Sequence, residues 1–342
     1  QAMTSYEQLL AGCQQKRDLV IDVHLRIGNL RIRRGQYDEA AQAFDDAIDA
    51  DPPASDRAYA LFRMGYALAQ SERPGEAAAK YEQLLEDHPD SPYAAVALLA
   101  SAQSSYRSGD LDQAAERFEK VLAQKDRAAA TEAAHWLARI QISKGKPTEA
   151  ERICRQQLTS GLEGEYAVAL RLDLAEAVSM NPETVADSLV LFEQAYRDAP
   201  DDALAPRALY NAAFSAYQIG KPERALELAL EFINRFPQDT LVSDIRFVAA
   251  ECQLQTGTAE AAADTYRKLM SEATADNMQR PLWLLRAAAT FNAAGRYDET
   301  VKMLGDELEG LAEPPRRAEA QFLIGQAHLA AGRAQQAADA FE

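Results

Sequence analysis

The sequence predicts an all-α solenoid in which antiparallel helix pairs stack one on another. Glycines and prolines recur along the chain at intervals near 37 residues or near twice that length. Between these marks, apolar residues follow three- and four-residue spacings, which is the pattern of amphipathic helices. The composition agrees, since 47% of the 342 residues are hydrophobic and only 16 are glycine. A single amphipathic hairpin cannot bury its apolar face, so neighbouring hairpins are expected to stack.

A glycine marks the turn inside most of the predicted helix pairs. We expect left-handed backbone there, because a Cβ atom strains that conformation at the end of a helix. Glu72 and Glu183 hold the same position in two copies. The glycines are Gly35, Gly109, Gly145, Gly220, Gly257, Gly295 and Gly332. Prolines end several of the second helices, because the ring blocks further helical hydrogen bonds, and these are Pro52, Pro89, Pro200 and Pro237.

Two small residues and one large residue have fixed places around each turn. The first small residue stands seven positions before the glycine, with Glu176 as the exception, and the second stands five positions after it. The large residue follows four positions later. We expect the small residues to let the paired helices approach closely while the large side chain fills the remaining space. Three of these sets are Gly28, Ala40 and Phe44; Gly65, Ala77 and Tyr81; and Ala102, Ala114 and Phe118.

The second helix of each pair carries a recognisable motif. The segment from Gly35 to Pro52 begins Gly-Gln-Tyr-Asp-Glu-Ala and continues through Phe44 and Ala47, and the segment at Gly295 begins Gly-Arg-Tyr-Asp-Glu. This motif resembles the second helix of the tetratricopeptide repeat, and the likeness extends over essentially the whole chain. The resemblance implies a right-handed superhelix and a protein-binding role. The family repeat has 34 residues, so about three additional residues are expected in each connection between hairpins.

The repeat boundaries divide residues 1–342 into a single solenoid of about nine repeats. Both ends are expected to cut through a repeat, because residues 6–10 have the same sequence as residues 81–85 and Phe341 stands early in a second helix. Uncapped ends expose apolar faces, which would favour end-to-end self-association. The predicted segments are 1–20 (the end of a preceding repeat), 21–57, 58–94, 95–130, 131–168, 169–205, 206–242, 243–280, 281–317 and 318–342 (truncated).

Two junctions between repeats carry a more specific likeness. Residues 88–94 read His-Pro-Asp-Ser-Pro-Tyr-Ala, and residues 232–239 read Phe-Ile-Asn-Arg-Phe-Pro-Gln-Asp. They resemble junctions in bacterial cell-envelope members of the family, of the type of the outer-membrane assembly lipoprotein and the Tol–Pal coordinator. The likeness favours a periplasmic or cell-envelope location slightly over a cytoplasmic one.

The charge of the chain limits the kind of partner it can bind. The formal charge is −17, with 53 acidic against 36 basic residues. Such a surface repels nucleic-acid phosphates, so no nucleic-acid binding is expected and neutral or basic protein partners are favoured. Two short basic runs, at 31–34 and 316–317, are interpreted as solvated helix ends. No stretch of 18 apolar residues exists, so direct membrane insertion is not expected.

The residue types that carry chemistry do not group into a recognisable site. Cysteines and histidines lie far apart and show no disulfide framework and no metal-ligand spacing. No strand followed by a glycine-rich phosphate loop is predicted, and no nucleophile motif is found. We therefore expect no metal, no cofactor and no enzymatic activity. The residues are Cys13, Cys154, Cys252, His24, His88, His135 and His328.

Function is expected to reside in the groove on the concave face, which the first helices line in the family. Aromatic and asparagine side chains on such a surface suit peptide binding. The alternative, that the longer repeat turns these side chains into the core, stays open and is favoured for Phe62 and Phe247. The resemblance assigns the following partner-binding residues to the groove: Tyr59, Phe62, Tyr66, Tyr106, His135, Trp136, Arg139, Tyr210, Asn211, Phe214, Tyr217, Phe247 and Phe322.

The predicted function is a protein-interaction scaffold or adaptor that binds a partner protein or an extended peptide. The charged clamp that some relatives use for peptide carboxyl termini is not expected, because Leu25 stands at one of its positions although Asn29 matches another. Two alternatives remain open. One is a regulatory or substrate-recruiting arm of a larger enzyme, and the other is a self-assembling structural array.

Overall fold

The computed structural model describes residues 2–12, 16–272, 274 and 277–342, and these residues form nineteen α-helices and no β-strand. The all-α class and the solenoid of helix pairs are confirmed. The chain divides into two compact units, Gln1–Ala177 and Val178–Glu342. Within the described ranges, no helix has the length and apolar character needed to cross a bilayer. Cys13 lies outside the described residues.

The first unit contains one leading helix and then alternating first and second helices of successive pairs. Several second helices begin with proline in the first turn, where its missing N–H leaves no intrahelical bond unmade. The helices are α1 (Ala2–Gly12), α2 (Arg17–Arg33), α3 (Tyr37–Asp49), α4 (Ala54–Gln70), α5 (Pro74–Asp87), α6 (Ala94–Ser108), α7 (Leu111–Leu122), α8 (Arg127–Ser143), α9 (Pro147–Ser160) and α10 (Ala167–Ser179), whose last two residues belong to the second unit.

The second unit continues the same alternation. A short 3-10 helix, Leu308–Gly310, extends the end of one second helix. The α-helices are α11 (Val185–Asp198), α12 (Ala205–Gln218), α13 (Pro222–Arg235), α14 (Val242–Gln255), α15 (Ala259–Glu272), α16 (Arg280–Ala293), α17 (Tyr297–Glu307), α18 (Pro314–Ala330) and α19 (Ala334–Phe341).

Left-handed backbone closes the turn inside nearly every helix pair. All seven predicted turn glycines have positive φ, and Gly220, with φ of +71°, is typical. Its N–H donates to the carbonyl of Tyr217 at 3.1 Å, so the end of α12 keeps its hydrogen bonds. Glu72 adopts the same conformation with φ of +59°. Glu183 differs from the expectation, because the turn from α10 to α11 is longer and needs no left-handed residue at that position.

The strained turn residue Glu72 gives a direct test of this geometry. A left-handed residue with a Cβ atom costs about 1–2 kcal/mol, and substitution by glycine removes this strain. Glycine also raises the entropy of the unfolded chain, which offsets part of the stabilisation. We therefore expect Glu72→Gly to raise the free energy of unfolding by about 0.5–1 kcal/mol, measured by thermal denaturation. Glu72→Ala is the matched control, since it removes the same exposed charge and keeps the strain. Equal effects of the two substitutions would contradict the assignment.

Close approach of paired helices depends on the small residues that the sequence places around each turn. A Cβ atom at Gly28 would stand 2.6 Å from the ring of Phe44, and one at Gly65 would stand 2.7 Å from the ring of Tyr81. Gly325 faces Phe341 in the same way. Ala40 and Ala114 are fully buried at the second small position, as are the equivalent residues Ala77, Ala150, Ala225 and Ala262. The predicted packing of small against large residues is confirmed.

Each unit has its own apolar interior, formed by clusters of buried residues that join neighbouring helices. In the first unit, Phe44, Leu61 and Leu84 are completely buried and join α3, α4 and α5. In the second unit, Tyr266 and Trp283 join α15 and α16. First and second helices both supply large core residues, as Leu61 and Trp283 on first helices and Phe44 and Tyr266 on second helices illustrate.

Candidate protein-binding surface

Five aromatic residues in the first unit line one pocket of about 320 Å³, and four of them lie on or directly before first helices. Tyr66 lies on α4, Tyr106 on α6 and Trp136 on α8, so three successive repeats contribute one ring each, and Tyr166 stands just before α10. We call this cavity the aromatic pocket. The rest of its wall consists of Ala69, Gln70, Tyr81, Ala100, Gln103, Ser104 and Arg107.

Three rings of the aromatic pocket, those of Tyr106, Trp136 and Tyr166, lie close to one another, and His135 joins this group. The centroids of Tyr106 and Trp136 are 4.7 Å apart, and those of Trp136 and Tyr166 are 6.1 Å apart. His135 stands 4.7 Å from Trp136 and 5.2 Å from Tyr166. All four pairs are tilted or edge-to-face, which is the arrangement that aromatic quadrupoles prefer. Tyr66, Tyr106 and Trp136, three of the residues that the sequence predicts to bind a partner, thus line one cavity, and their role in binding stays a prediction.

A buried carboxylate fixes the polar edges of these rings. Glu132 is only 9% exposed, and its Oε1 accepts hydrogen bonds from Gln103 Nε2 at 2.6 Å and from Trp136 Nε1 at 3.2 Å. Burial raises the pKa of Tyr166, and the negative charges of Glu132 and Glu165 raise it further. Hydrogen bonds to a charged acceptor are stronger than neutral ones. These bonds hold the side chains of Gln103 and Trp136 in the wall of the pocket.

A second buried network lies behind the pocket. His135 Nδ1 makes a short hydrogen bond to Asp173 Oδ2, and Arg139 reaches Glu176 at 2.7 Å and Asp173 at 3.8 Å. Asp173 is only 2% exposed. Burial raises the pKa of its carboxyl group, while His135 and Arg139 act in the opposite direction. His135 and Arg139, both predicted as partner-binding residues, are therefore engaged with acidic groups of α10.

Tyr59 and Phe62, one turn apart on α4, form a neighbouring aromatic group with Tyr93. Phe62 stacks on Tyr93 with a centroid distance of 5.3 Å and lies 6.0 Å from Tyr81. Tyr59 is 5.7 Å from Tyr93 and donates its hydroxyl to Asn29 Oδ1 at 3.0 Å. Phe62 and Tyr93 pack against the core of the first unit, and Tyr59, Phe62 and Tyr93 are all half-buried.

In the second unit, several of the predicted aromatic residues pair with the second helix of their own repeat. Phe247 lies edge-on to Tyr266, and Phe322 lies 5.8 Å from Phe341. On α12, Tyr210 stacks with Phe214 at 6.1 Å. Asn211, Tyr217 and Phe247 are half-buried, whereas Phe322 is exposed. Burial raises the pKa values of Tyr210 and Tyr217.

Comparison with protein-family models matches most of the chain to one family. A tetratricopeptide repeat model matches residues 21–53, a tetratricopeptide repeat-like domain model matches 54–177, and another tetratricopeptide repeat model matches 210–277 and 285–342. The chain belongs to the tetratricopeptide repeat family. Among curated proteins, no sequence matches it significantly. The more specific likeness to cell-envelope members stays a prediction.

Solved structures with the tetratricopeptide repeat fold superimpose on this chain. A tetratricopeptide repeat protein from Parabacteroides merdae gives a TM-score of 0.51 at 17% identity and covers 76% of this chain and 95% of its own. A signal-transduction ATPase with a tetratricopeptide repeat sensor from Pyrococcus horikoshii gives 0.55 at 13% identity, covering 94% of this chain and 52% of its own. At these identities the similarity supports the fold alone.

Tetratricopeptide repeat membership fits a general role as a protein-interaction scaffold with protein or peptide partners. Within the described ranges, no group of three or more potential metal-ligating side chains is found. Both described cysteines, Cys154 and Cys252, are buried. Burial raises the pKa of each thiol, to about 12 for Cys252, so neither is poised as a nucleophile.

The sequence analysis missed Tyr166 and Tyr93, which complete the two aromatic groups. Each stands directly before a first helix, and Leu204 and Leu241 occupy the same place in later repeats. The intervals from Tyr93 to Tyr166 to Leu204 to Leu241 are close to one or two repeat lengths. The alignment of repeats that located the glycines therefore also contains the signal for these residues.

Proposed function

We propose that this chain is a scaffold whose aromatic pocket binds an extended peptide segment of a partner protein. The main observation that supports this proposal is a group of four rings from first-helix positions around one cavity of about 320 Å³. These rings are Tyr66, Tyr106, Trp136 and Tyr166. Tyrosine and tryptophan are the residues that most often carry binding energy in protein interfaces. An apolar or aromatic side chain of the peptide would enter the pocket.

Polar groups at the pocket suit the backbone of such a peptide. Gln70, Gln103 and Arg107 belong to the wall and offer donors and acceptors beside the rings. Arg107 also donates to the carbonyl of Ala69 at 2.8 Å, which holds the guanidinium at the rim. Pockets that combine an apolar floor with a few placed polar groups are typical ligand sites. The pre-positioned rings reduce the ordering cost of binding.

The two tryptophans of the chain make the proposed site easy to monitor. Trp136 belongs to the aromatic pocket, whereas Trp283 is only 2% exposed in the second unit. Peptides selected from a displayed random library on the intact chain are expected to change the fluorescence of Trp136. We expect Tyr66→Ala to weaken their binding by a factor of about 10 or more, which corresponds to about 1.4 kcal/mol.

Leu230→Ala is the matched control, because Leu230 is similarly exposed, at 43% against 37% for Tyr66, and lies on α13 in the second unit. The control should retain the wild-type affinity for peptides that report through Trp136. Binding that is insensitive to Tyr66→Ala, or a library that yields no peptide acting on Trp136, would overturn the proposal. Circular dichroism of each variant verifies that its helices are intact.

The second candidate function is a regulatory or substrate-recruiting arm of a larger enzyme. It is kept because one structurally similar chain is a signal-transduction ATPase with a tetratricopeptide repeat sensor. Both functions use the same peptide-binding surface. Sequencing the gene on either side of this segment distinguishes them, since an arm requires a catalytic domain in the same polypeptide.

A further inference from the structure

A second pocket, of about 450 Å³, lies beside the aromatic pocket in the first unit and has a different chemistry. Among the residues that the structure describes, its wall carries three arginines and no acidic residue, although the chain as a whole has a formal charge of −17. We call it the arginine pocket. Its lining residues are Tyr6, Arg26, Asn29, Leu30, Arg33, Tyr59 and Arg63.

Two of the three arginines have no ion-pair partner in the part of the chain that the structure describes. Arg26 is paired with Asp22 at 2.8 Å, but Arg33 and Arg63 pair with no described carboxylate. The Nε of Arg63 is buried and makes no hydrogen bond, which is costly for a charged donor. Many other arginines of this chain do form ion pairs, for example Arg73 with Glu76. Arg33 is exposed and can meet an external acceptor, whereas Arg63 can do so only through its terminal guanidinium nitrogens, because its Nε is buried.

Further donors and acceptors point into the same region. Asn29 Nδ2 donates one hydrogen to the carbonyl of Leu25 at 2.9 Å and has a second one to give. The Tyr59 hydroxyl donates to Asn29 Oδ1, which fixes the orientation of the amide. Planar guanidinium groups with a neighbouring amide N–H match the two oxygens of a carboxylate.

We propose that the arginine pocket binds the carboxylate of an aspartate or glutamate side chain in the peptide that occupies the aromatic pocket. The inference rests on the proposed function and adds the identity of a second recognition element. The negative charge of the whole chain favours partners that are basic overall. The positive charge of the arginine pocket favours one acidic side chain within such a partner.

The positions of the two pockets set the spacing within the peptide. Arg63 and Tyr66 lie three residues apart on α4, and the Arg63 guanidinium stands 5.5 Å from the centre of the Tyr66 ring. The arginine pocket lies between α2 and α4, and the aromatic pocket lies between α4 and the following first helices. Neighbouring packed helices are about 8–10 Å apart. An extended peptide covers that distance in about three residues.

A peptide fits these observations better than a nucleic acid does. A carboxylate brings one negative charge to the arginines, whereas a nucleic-acid strand brings a phosphate with every nucleotide. The chain outside the pocket carries a large excess of acidic groups, which repels such a strand. One acidic side chain can be neutralised within the pocket itself.

The test uses peptides selected on the aromatic pocket, with a single glutamate placed two, three or four residues on either side of the apolar anchor. Each is compared with the same peptide carrying glutamine, and all have an amidated carboxyl terminus so that only the side chain supplies a carboxylate. We expect the glutamate peptide with about three-residue spacing to bind intact wild-type protein about 10-fold more tightly than its glutamine counterpart.

The preference for glutamate should fall to about 2-fold or less in Arg33→Gln and in Arg63→Gln. It should persist in Arg34→Gln, which removes the same charge from the adjacent residue outside the pocket wall. A glutamate-to-glutamine ratio near one in wild-type protein would overturn this inference while leaving peptide binding by the aromatic pocket intact. A labelled single-stranded oligonucleotide that binds through Arg33 and Arg63 without any glutamate preference would also overturn it.

Discussion

Gly65→Ala is expected to lower the free energy of unfolding by about 1–3 kcal/mol. The added Cβ would stand 2.7 Å from the ring of Tyr81, whose side chain is only 2% exposed and cannot move into solvent. Alanine ordinarily stabilises a helix relative to glycine by about 0.5–1 kcal/mol. The steric cost must therefore exceed that gain, and urea denaturation followed by circular dichroism measures the net effect.

Gly305→Ala provides a control with the same chemical change and the opposite expected sign. Gly305 lies in α17, and no heavy atom stands within 4 Å of the position of its missing Cβ. This substitution should raise the free energy of unfolding by about 0.5–1 kcal/mol. If both substitutions stabilised the protein, the close packing of α4 on α5 through Gly65 and Tyr81 would be wrong.

The repeat pattern carried enough information to predict the fold class and its turn geometry. Gly220 and Gly28 are placed by local requirements, a left-handed turn and a close helix approach, and such requirements recur at the same position in each copy. The expectation of left-handed backbone at Glu183 was wrong because the turn after α10 is longer. The backbone there does not need the conformation that glycine supplies. Turn length depends on how the next helix packs, and the spacing of glycines gives no information about that packing.

Residues of the candidate site could be predicted from the sequence only where they recur at a fixed position of the repeat. Tyr66, Tyr106 and Trp136 occupy first-helix positions that face one side, and the sequence indicated all three. Glu132 was not predicted, because the sequence alone does not distinguish a buried acidic acceptor from an exposed acidic residue on a helix. The bonds of Gln103 and Trp136 to Glu132 depend on the distance between neighbouring helices, and sequence spacing does not give that distance.

One irregularity in the repeat did point to the buried network. Glu176 was the exception at the first small position, where the other copies have glycine or alanine. The structure shows the reason, because Glu176 accepts from Arg139 of the preceding repeat at 2.7 Å. A charged residue in place of a small one therefore marked the position where a polar network replaces apolar packing.

His135→Leu is expected to destabilise the protein at pH 7 by about 3 kcal/mol, because it removes the closest partner of a buried carboxylate. Asp173 is 2% exposed, and the histidine makes the short hydrogen bond to its Oδ2. Arg139 stands 3.8 Å from the other oxygen and remains as a weaker partner. Chemical denaturation at pH 7 measures the loss of unfolding free energy relative to wild type.

The comparison of His135→Leu with the double variant His135→Leu/Asp173→Asn isolates the charge of Asp173. Burial already raises the pKa of this carboxyl in the wild-type protein, and loss of His135 should raise it further. A carboxyl with a raised pKa in the folded state stabilises the fold below its ordinary pKa, near 3.9, and this contribution is lost as pH rises through the folded pKa. The single variant should therefore approach the double variant in stability near pH 4 and fall below it towards pH 7. A constant difference between the two across that range would show that Asp173 carries no uncompensated charge.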